Sequence, residues 1–270
     1  MRVGIYYKKN YLTENLSNLE KIECFFKANS ISSKIIEKPA DLDGMDIVLV
    51  LGGDGTILSI ASECARRHIK MLGINYGHLG FLTEFEQEKL DDALKFLHEE
   101  KFTTTNRAIL EISYSDKKFY ALNDFVIQRS TGGQNFSNTV ELNAQIDGVL
   151  IDRYLADGIV ISTPTGSTAY SLSAGGSILA PDLDAFILTP ICAHSLHARP
   201  VVFNANSVVS ITSVSNKRQL NVIVDGKIVD TVTGNIDFTI KKSEFVAEFI
   251  SRSNNDFFDK LFVKLNIWSK

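Results

Sequence analysis

Ile47-Val48-Leu49-Val50-Leu51 is a run of five apolar, mostly branched residues, and Gly52-Gly53-Asp54-Gly55-Thr56 follows it at once. The run predicts a strand buried on both faces, ending in a tight turn. On either side the pattern alternates between two periods. Residues 2 to 7 form a short apolar strand, and Leu16, Leu19, Ile22, Phe25 and Phe26 recur at helical spacing, predicting a helix over 14–29 after a Thr13 cap. Next come a strand at Ser33 to Glu37, the Ile47 to Leu51 strand, a helix from Ile57 to Arg67 and a strand from Met71 to Asn75. A charged helix over 86–99 buries Leu90, Ala93, Leu94 and Leu97. Strands and helices alternating through short connections imply a parallel sheet.

From about residue 101 the texture shifts to period two. Ile109 to Tyr114, Phe119 to Gln128, Val140 to Ile146, Val208 to Val214, Leu220 to Val224 and Ile236 to Ile240 read as strands, with Asp147-Gly148 and Asp225-Gly226 as hairpin turns. The expected organisation is an α/β domain over 1–100, a mostly β domain over 101–250, and a C-terminal helix over 251–270 that returns to the first domain. Phe257 to Leu265 has helical spacing and is apolar enough to need a surface to pack on.

Composition narrows the classes. The chain has 270 residues, 44% hydrophobic and 22% charged, with a net charge of −4, so nothing general draws it to nucleic acid or to an anionic membrane. The N-terminus has charges on both sides of its short apolar run, and no stretch approaches a membrane span; neither a signal peptide nor a transmembrane segment is expected. Cys24, Cys64 and Cys192 are odd in number and far apart, giving no disulfide framework and no cysteine zinc site. A cytoplasmic protein is the reading. His78, His194 and His197 lack metal-ligand spacing and are read as loop or interface residues.

Three loops carry candidate chemistry. Gly52, Gly53 and Gly55 lack Cβ atoms, can take positive φ, and let a bulky anion approach backbone N–H groups. Asp54 is the one charge there. A carboxylate beside a phosphate cradle has to receive a proton or hold a hydroxyl or metal, which suggests phosphoryl transfer to an alcohol; a plain strand-to-helix turn with Asp54 as cap is the alternative. Asn75-Tyr76-Gly77-His78-Leu79-Gly80-Phe81-Leu82 is a second loop at the carboxyl end of a strand. The third, Thr163-Pro164-Thr165-Gly166-Ser167-Thr168-Ala169-Tyr170-Ser171-Leu172-Ser173-Ala174-Gly175-Gly176, follows the strand Gly158 to Ser162. Its hydroxyls and glycines suit a polar cofactor, with Ser167 or Thr168 capping a helix that faces the ligand.

Taken together, Gly52 to Thr56, Asn75 to Phe81, Leu122-Asn123-Asp124, Asp157-Gly158 and Thr163 to Gly176 stand in the order and spacing of NAD kinases, and the chain resembles that family over nearly its whole length. Thr163 to Gly176 is the most specific part; the first motif alone also resembles lipid kinases of the diacylglycerol type and phosphofructokinases. The resemblance implies an α/β N-terminal domain with a Rossmann-like parallel sheet, shared by the diacylglycerol-kinase and NAD-kinase superfamily, and a mostly β C-terminal domain. It implies transfer of a phosphoryl group from ATP or polyphosphate to the adenosine-ribose 2′-hydroxyl of NAD, giving NADP. By similarity Asp54 is the proton acceptor, with Gly55 against the same ligand. Asn123 reads adenine, Asp124 holds ribose hydroxyls, and Asp157 holds another polar part of the dinucleotide. Thr168, Ala169, Tyr170, Ser171, Leu172 and Ser173 match the family's dinucleotide-binding run, with Tyr170 able to stack on a flat ring.

Mg2+ or another divalent cation would arrive with the donor, since no carboxylate cluster suggests a protein-built metal site. Family members are typically homotetramers or homodimers. The sequence departs from the family pattern at Asp124, where most members carry Glu, at Leu155, where many carry Arg, and at Lys227, where a neutral polar residue is common. Competing readings are a lipid or sugar kinase of the same superfamily, which leaves Asn123 and the Thr163 to Gly176 loop without a purpose, and a non-catalytic NAD sensor, which leaves Asp54 without one.

Overall fold

The computed structural model describes residues 1–8, 16–77, 80–130, 139–214, 218–252 and 257–268. Thr13, His78 and Leu79 lie outside the described residues. The chain forms two compact units, 1–107 with 245–270, and 108–244. In chain order the first holds β1 (Arg2–Tyr7), α1 (Leu16–Ala28), β2 (Ser32–Ile35), β3 (Ile47–Leu51), α2 (Asp54–Ala65), β4 (Lys70–Asn75), β5 (Phe85–Glu86) and α3 (Leu90–Glu99). The chain divides within β6 (Thr103–Tyr114), where the sequence pattern had suggested a cut near Lys101. The second unit contains β7 (Lys117–Ala121), β8 (Asp124–Arg129), β9 (Val140–Ile146), β10 (Val149–Ala156), β11 (Gly158–Ser162) and the one-turn α4 (Tyr170–Ser173). It continues through β12 (Ala185–Ile191), β13 (Val201–Asn204), β14 (Val209–Ser213), β15 (Gln219–Val224) and β16 (Lys227–Thr233). The second division falls within β17 (Asp237–Ser251), and α5 (Phe257–Trp268) closes the chain.

In the first unit β2-β1-β3-β4 are parallel neighbours, with Ile5 opposite Leu49 and Leu49 opposite Leu72. β3 is buried at all five positions, as its unbroken apolar run requires. One face of the sheet, with Ile5, Leu49 and Leu72, packs on Ile22 and Phe26 of α1 and on Leu90, Leu94 and Leu97 of α3. Each such side chain contributes about 1.5–3 kcal/mol by leaving water. On the other face Ile57 of α2 fills the space that a side chain at Gly73 would need.

The second unit is a two-layer antiparallel arrangement. One sheet runs β10-β9-β14-β17 and the other β13-β12-β11-β8-β15-β16. Alternate residues of both, including Leu142, Ile211 and Phe238 from the first and Phe125, Ile127, Ile159 and Leu220 from the second, meet in one core. The residues between them, Val126, Val160 and Ile223, belong to a small cluster on the opposite face of the second sheet. Asp147 and Gly148 have φ of 51 and 78, and Asp225 and Gly226 have φ of 46 and 76, the paired positive values of a type I′ hairpin turn.

Three expectations change. The run from Phe119 to Gln128 is two strands, interrupted at Leu122-Asn123, because the Asp225 carboxylate takes the N–H groups of Leu122, Asn123 and Asp124. Of the glycines expected at positive φ in the first loop only Gly52 adopts it, at 151; Gly53 has φ −87 and Gly55 already lies in α2. In α5 the docking side is not purely apolar: Phe257 meets Phe81, but Phe258 and Phe262 are 67% and 71% exposed, whereas the side chains of Lys260 and Lys264 are 15% exposed. Among the described residues no helix is long and apolar enough to cross a membrane.

Candidate active site

The first unit places Asp54 at the start of α2, directly after the turn that ends β3. Gly52 makes that turn possible: its φ is positive, and a Cβ there would lie 2.4 Å from the Thr56 hydroxyl. Gly53 caps α2, putting Asp54 in the first helical turn, where a negative charge is favoured by the helix dipole. The carboxylate is gripped by the loop after β4. Phe81 N–H donates to its Oδ2 at 2.9 Å and Leu82 N–H to its Oδ1 at 3.0 Å. Gly80 allows this approach, since a Cβ on it would sit 2.3 Å from Oδ1. Lys264 Nζ stands 3.6 Å from Oδ2. Gly55 is exposed, with open space where a side chain would point, and its carbonyl accepts a hydrogen bond from Lys8 Nζ at 3.0 Å. Asn75 donates from Nδ2 to Gly77 O, and its Oδ1 is buried without a partner.

The second unit builds its site around Asn123. The backbone there is held from several sides. Asp225 accepts the three N–H groups already described; Thr163 Oγ1 donates to Leu122 O at 2.6 Å; Thr163 N–H and Ser162 Oγ–H both donate to Asn123 O. Gly166 lies so close that a Cβ would fall 2.2 Å from Asn123 O. On this fixed backbone the Asn123 Oδ1 is buried and has no hydrogen-bond partner among the described residues. A buried amide oxygen without a donor costs about 1–3 kcal/mol, which a ligand N–H would recover.

Asp124 is buried beside it, and among the described residues no group donates to its carboxylate. Burial, and then the negative charge of Asp225, push its pKa up to about 7. Burial also raises Asp225, against its three backbone donors and the nearby Lys227. Asp157 is differently placed: Arg129 Nε donates to its Oδ1 at 2.7 Å, so it presents a neutralised carboxylate. Tyr170 packs on the Val126, Val160 and Ile191 patch, and burial pushes its phenol up against a hydrogen bond with Gln128.

The loop from Thr163 differs from expectation in one respect. Thr165–Thr168 is a 3₁₀ turn and α4 has four residues, with no side-chain cap from Ser167 or Thr168. Ser167 instead bonds Pro164 O and receives Leu179 N–H, while Thr168 reaches back to Thr165 O at 3.4 Å. Ser171 is buried against Thr189 Oγ1 at 2.9 Å; Ala169 and Leu172 are half-buried and Ser173 is exposed. The hydroxyls of Ser167 and Ser171 thus hold the loop's shape. Thr168, Ala169, Tyr170, Leu172 and Ser173 keep some exposed surface.

Asp54 and Gly55 therefore belong to the first unit, and Asn123, Asp124, Asp157 and Thr168 to Ser173 to the second. Sequence reasoning missed Asp225, Arg129 and Lys264. Asp225 was read as a turn residue only, and nothing local to Arg129 or Lys264 names the carboxylate that each one meets.

Family models match the two parts of the chain separately: the ATP-NAD kinase N-terminal domain over residues 7–102 and the ATP-NAD kinase C-terminal domain over residues 122–252. The chain belongs to the NAD kinase family. The NAD kinase of Clostridium botulinum (strain Loch Maree / Type A3) is 38% identical over 264 residues, covering 96% of this chain and 90% of that one. The NAD kinase of Caldicellulosiruptor saccharolyticus is 36% identical over 248 residues, covering 92% and 93%. Among solved structures, an NAD kinase from Archaeoglobus fulgidus in complex with ATP superposes with a TM-score of 0.82 at 29% identity, covering 98% of this chain and 99% of that one. Yeast NADH kinase complexed with NADH gives a TM-score of 0.82 at 26% identity, covering 100% and 89%. An NAD kinase is an enzyme that phosphorylates NAD, and the α/β and mostly β parts described above are the two parts of that fold.

Proposed function

We propose the following division of labour for the phosphorylation of NAD. The adenosine-ribose 2′-hydroxyl is the acceptor, ATP or polyphosphate the donor, and NADP the product. Asn123 reads the adenine edge: its unpartnered Oδ1 accepts from the exocyclic amine, and its amide N–H faces a ring nitrogen. Asp124 holds ribose hydroxyls, and the Asp157–Arg129 pair meets a polar part of the dinucleotide. Thr168, Ala169, Tyr170, Leu172 and Ser173 line the dinucleotide, with Tyr170 stacking on a ring, while the buried Ser171 holds the run in shape through Thr189. Asp54 accepts the hydroxyl proton as the phosphoryl group leaves the donor. A loose phosphoryl-transfer transition state asks for positioning and late proton removal more than for a strong base, and a carboxylate supplies both.

The donor's phosphates fit the exposed side of the first loop, where Gly55 leaves open space and Lys8 supplies a cation. Among the described residues no three His, Cys, Asp or Glu side chains converge, so the divalent cation is read as riding on the donor's phosphates, where it neutralises charge. The observation that carries the reading is Asn123 Oδ1, a buried acceptor on a rigid backbone that lacks only a donor. Purified protein with ATP, Mg2+ and NAD should form NADP. Absence of NADP from NAD and of NADPH from NADH, with ATP and with polyphosphate as donors, would reject the assignment.

The assembly is read as a cytoplasmic homodimer or homotetramer. β10, at the end of its sheet, exposes Val149, Leu150, Ile151 and Leu155, an apolar edge that suits a second copy. The free thiols Cys24 and Cys192 on the surface suit a reducing compartment. Sedimentation equilibrium giving a monomer at micromolar concentration would reject the oligomer.

A further inference from the structure

The matched family domains end at Arg252, yet the helix beyond them reaches the carboxylate that the reaction needs. α5 faces its own unit through Phe257, Lys260 and Lys264, spaced three and four residues apart on one side of the helix. Phe257 meets the Phe81 ring at 5.9 Å, and Lys260 Nζ donates to Thr83 O at 2.9 Å. Lys264 goes further. Its Nζ is 3.6 Å from Asp54 Oδ2 and 3.9 Å from the centre of the Phe81 ring. One ammonium thus bridges the Asp54 carboxylate to the aromatic face of the residue whose N–H also donates to Oδ2. Burying a lysine is unfavourable, and burial draws the Lys264 ammonium below the usual lysine range even with Asp54 opposing. A helix anchored only for stability could have put one of its exposed phenylalanines there.

We propose that Lys264 is a positioning residue for Asp54. It sets a cation beside Oδ2, which already takes the Phe81 N–H, leaving Oδ1, which among the described residues takes the Leu82 N–H alone, as the oxygen that meets the acceptor hydroxyl. The carboxylate then has one orientation. Without Lys264 the carboxylate keeps only the N–H groups of Phe81 and Leu82 and can tilt between them, so the hydroxyl is met in fewer productive encounters. The assignment rests on Asp54 being the proton acceptor.

The test compares steady-state kinetics of Lys264→Gln, Lys264→Arg, Lys260→Gln and Asp54→Asn in the full-length chain, each checked for folding by thermal melting. Lys264→Gln should lower kcat by roughly 10–100-fold, the scale of a misplaced reacting group, with KM for NAD and for ATP changing less than about threefold. Lys264→Arg, which keeps the charge, should recover most of the loss. Lys260→Gln removes a helix anchor without touching Asp54 and should keep kcat within about threefold. In an Asp54→Asn background the Lys264 substitution should add nothing further, since the two act as a unit. Normal kcat in Lys264→Gln, or an equal loss in Lys260→Gln, overturns the positioning role, the second result showing that the helix only needs to be docked. Near-normal turnover in Asp54→Asn overturns the base assignment on which the role depends, so the two failures are told apart.

Discussion

The two units handle a carboxylate at the end of a strand in opposite ways. Asp54, after β3, is partly exposed and surrounded by donors: two backbone N–H groups, one on each oxygen, and the Lys264 ammonium. Asp124, at the start of β8, is buried, its carboxylate receives no donor among the described residues, and it lies near a second, half-buried carboxylate, Asp225. The first environment keeps a charged acceptor in a fixed orientation before any ligand arrives. The second disfavours the ionised form of Asp124 through burial and the charge of Asp225, a cost that donors from a bound ligand would offset. Positioning favours turnover and unsatisfied burial favours binding, so substitutions in the two regions should separate into losses of kcat and losses of affinity.

The largest effect is expected at Asp54. Asp54→Asn keeps the size of the side chain, yet its amide cannot accept a proton as a carboxylate does, and its NH2 must face the N–H of Phe81 or of Leu82. Turnover should fall by roughly 10²–10⁴-fold, the range for losing a general base. NAD affinity, measured by calorimetry on the same folded variant, should stay near wild type. Retained turnover, or lost binding with retained turnover, would erase the contrast between the two carboxylates.

A smaller effect probes the second unit from the ligand side. Replacing adenine by hypoxanthine exchanges the exocyclic amine for a carbonyl, which then faces Asn123 Oδ1, an acceptor with no other partner. The mismatch should cost about 1–3 kcal/mol of binding, roughly fivefold to a hundredfold in affinity. Because the Asn123 backbone is fixed by Asp225, Thr163 and Ser162, the side chain has little freedom to turn away. Equal affinity for the two dinucleotides would remove Asn123 from the adenine edge.

What could be read in advance depended on how local the determinant was. β3 follows from an uninterrupted apolar run, and both hairpin turns follow from Asp-Gly pairs that tolerate positive φ, so a few adjacent residues suffice. The break at Leu122-Asn123 was not legible, because the donors are satisfied by Asp225, about a hundred residues away along the chain. The loop from Thr163 to Gly176 was recognisable by composition, while the tasks of its hydroxyls were not: Ser167 and Ser171 look like ligand groups in sequence and are spent on Leu179 and Thr189. The tail misled for a related reason. Its helical spacing suggests an apolar docking face, of which Phe257 against Phe81 is one part; Lys260 and Lys264 complete the face because Thr83 O and Asp54 offer them partners.

The most delicate expected difference concerns the pH dependence of stability at Asp124. The folded carboxyl titrates near a pKa of about 7. In an unfolded chain it would titrate near ~4. Across that window the folded protein binds more protons than the unfolded one, so this group makes stability fall as pH rises; below the window both forms are protonated, and above it both are ionised and the penalty is constant. Asp124→Asn removes the group. The variant should gain on the wild type as pH is raised from 5 to 8, with the difference in Tm growing by at least ~3 °C, the shift that about 1 kcal/mol produces in a protein of this size. Taking the difference between the two proteins cancels groups with the opposite slope, such as Asp41, which Lys34 and the backbone N–H groups of Glu37 and Lys38 hold down at about 2. Under the proposed ribose contact, saturating NAD should shrink the difference, because the ribose hydroxyls would donate to the Asp124 carboxylate and favour its ionised form. A Tm difference that is flat with pH would mean that burial does not perturb Asp124, and the contrast between a held carboxylate and a buried one would fail on its second member.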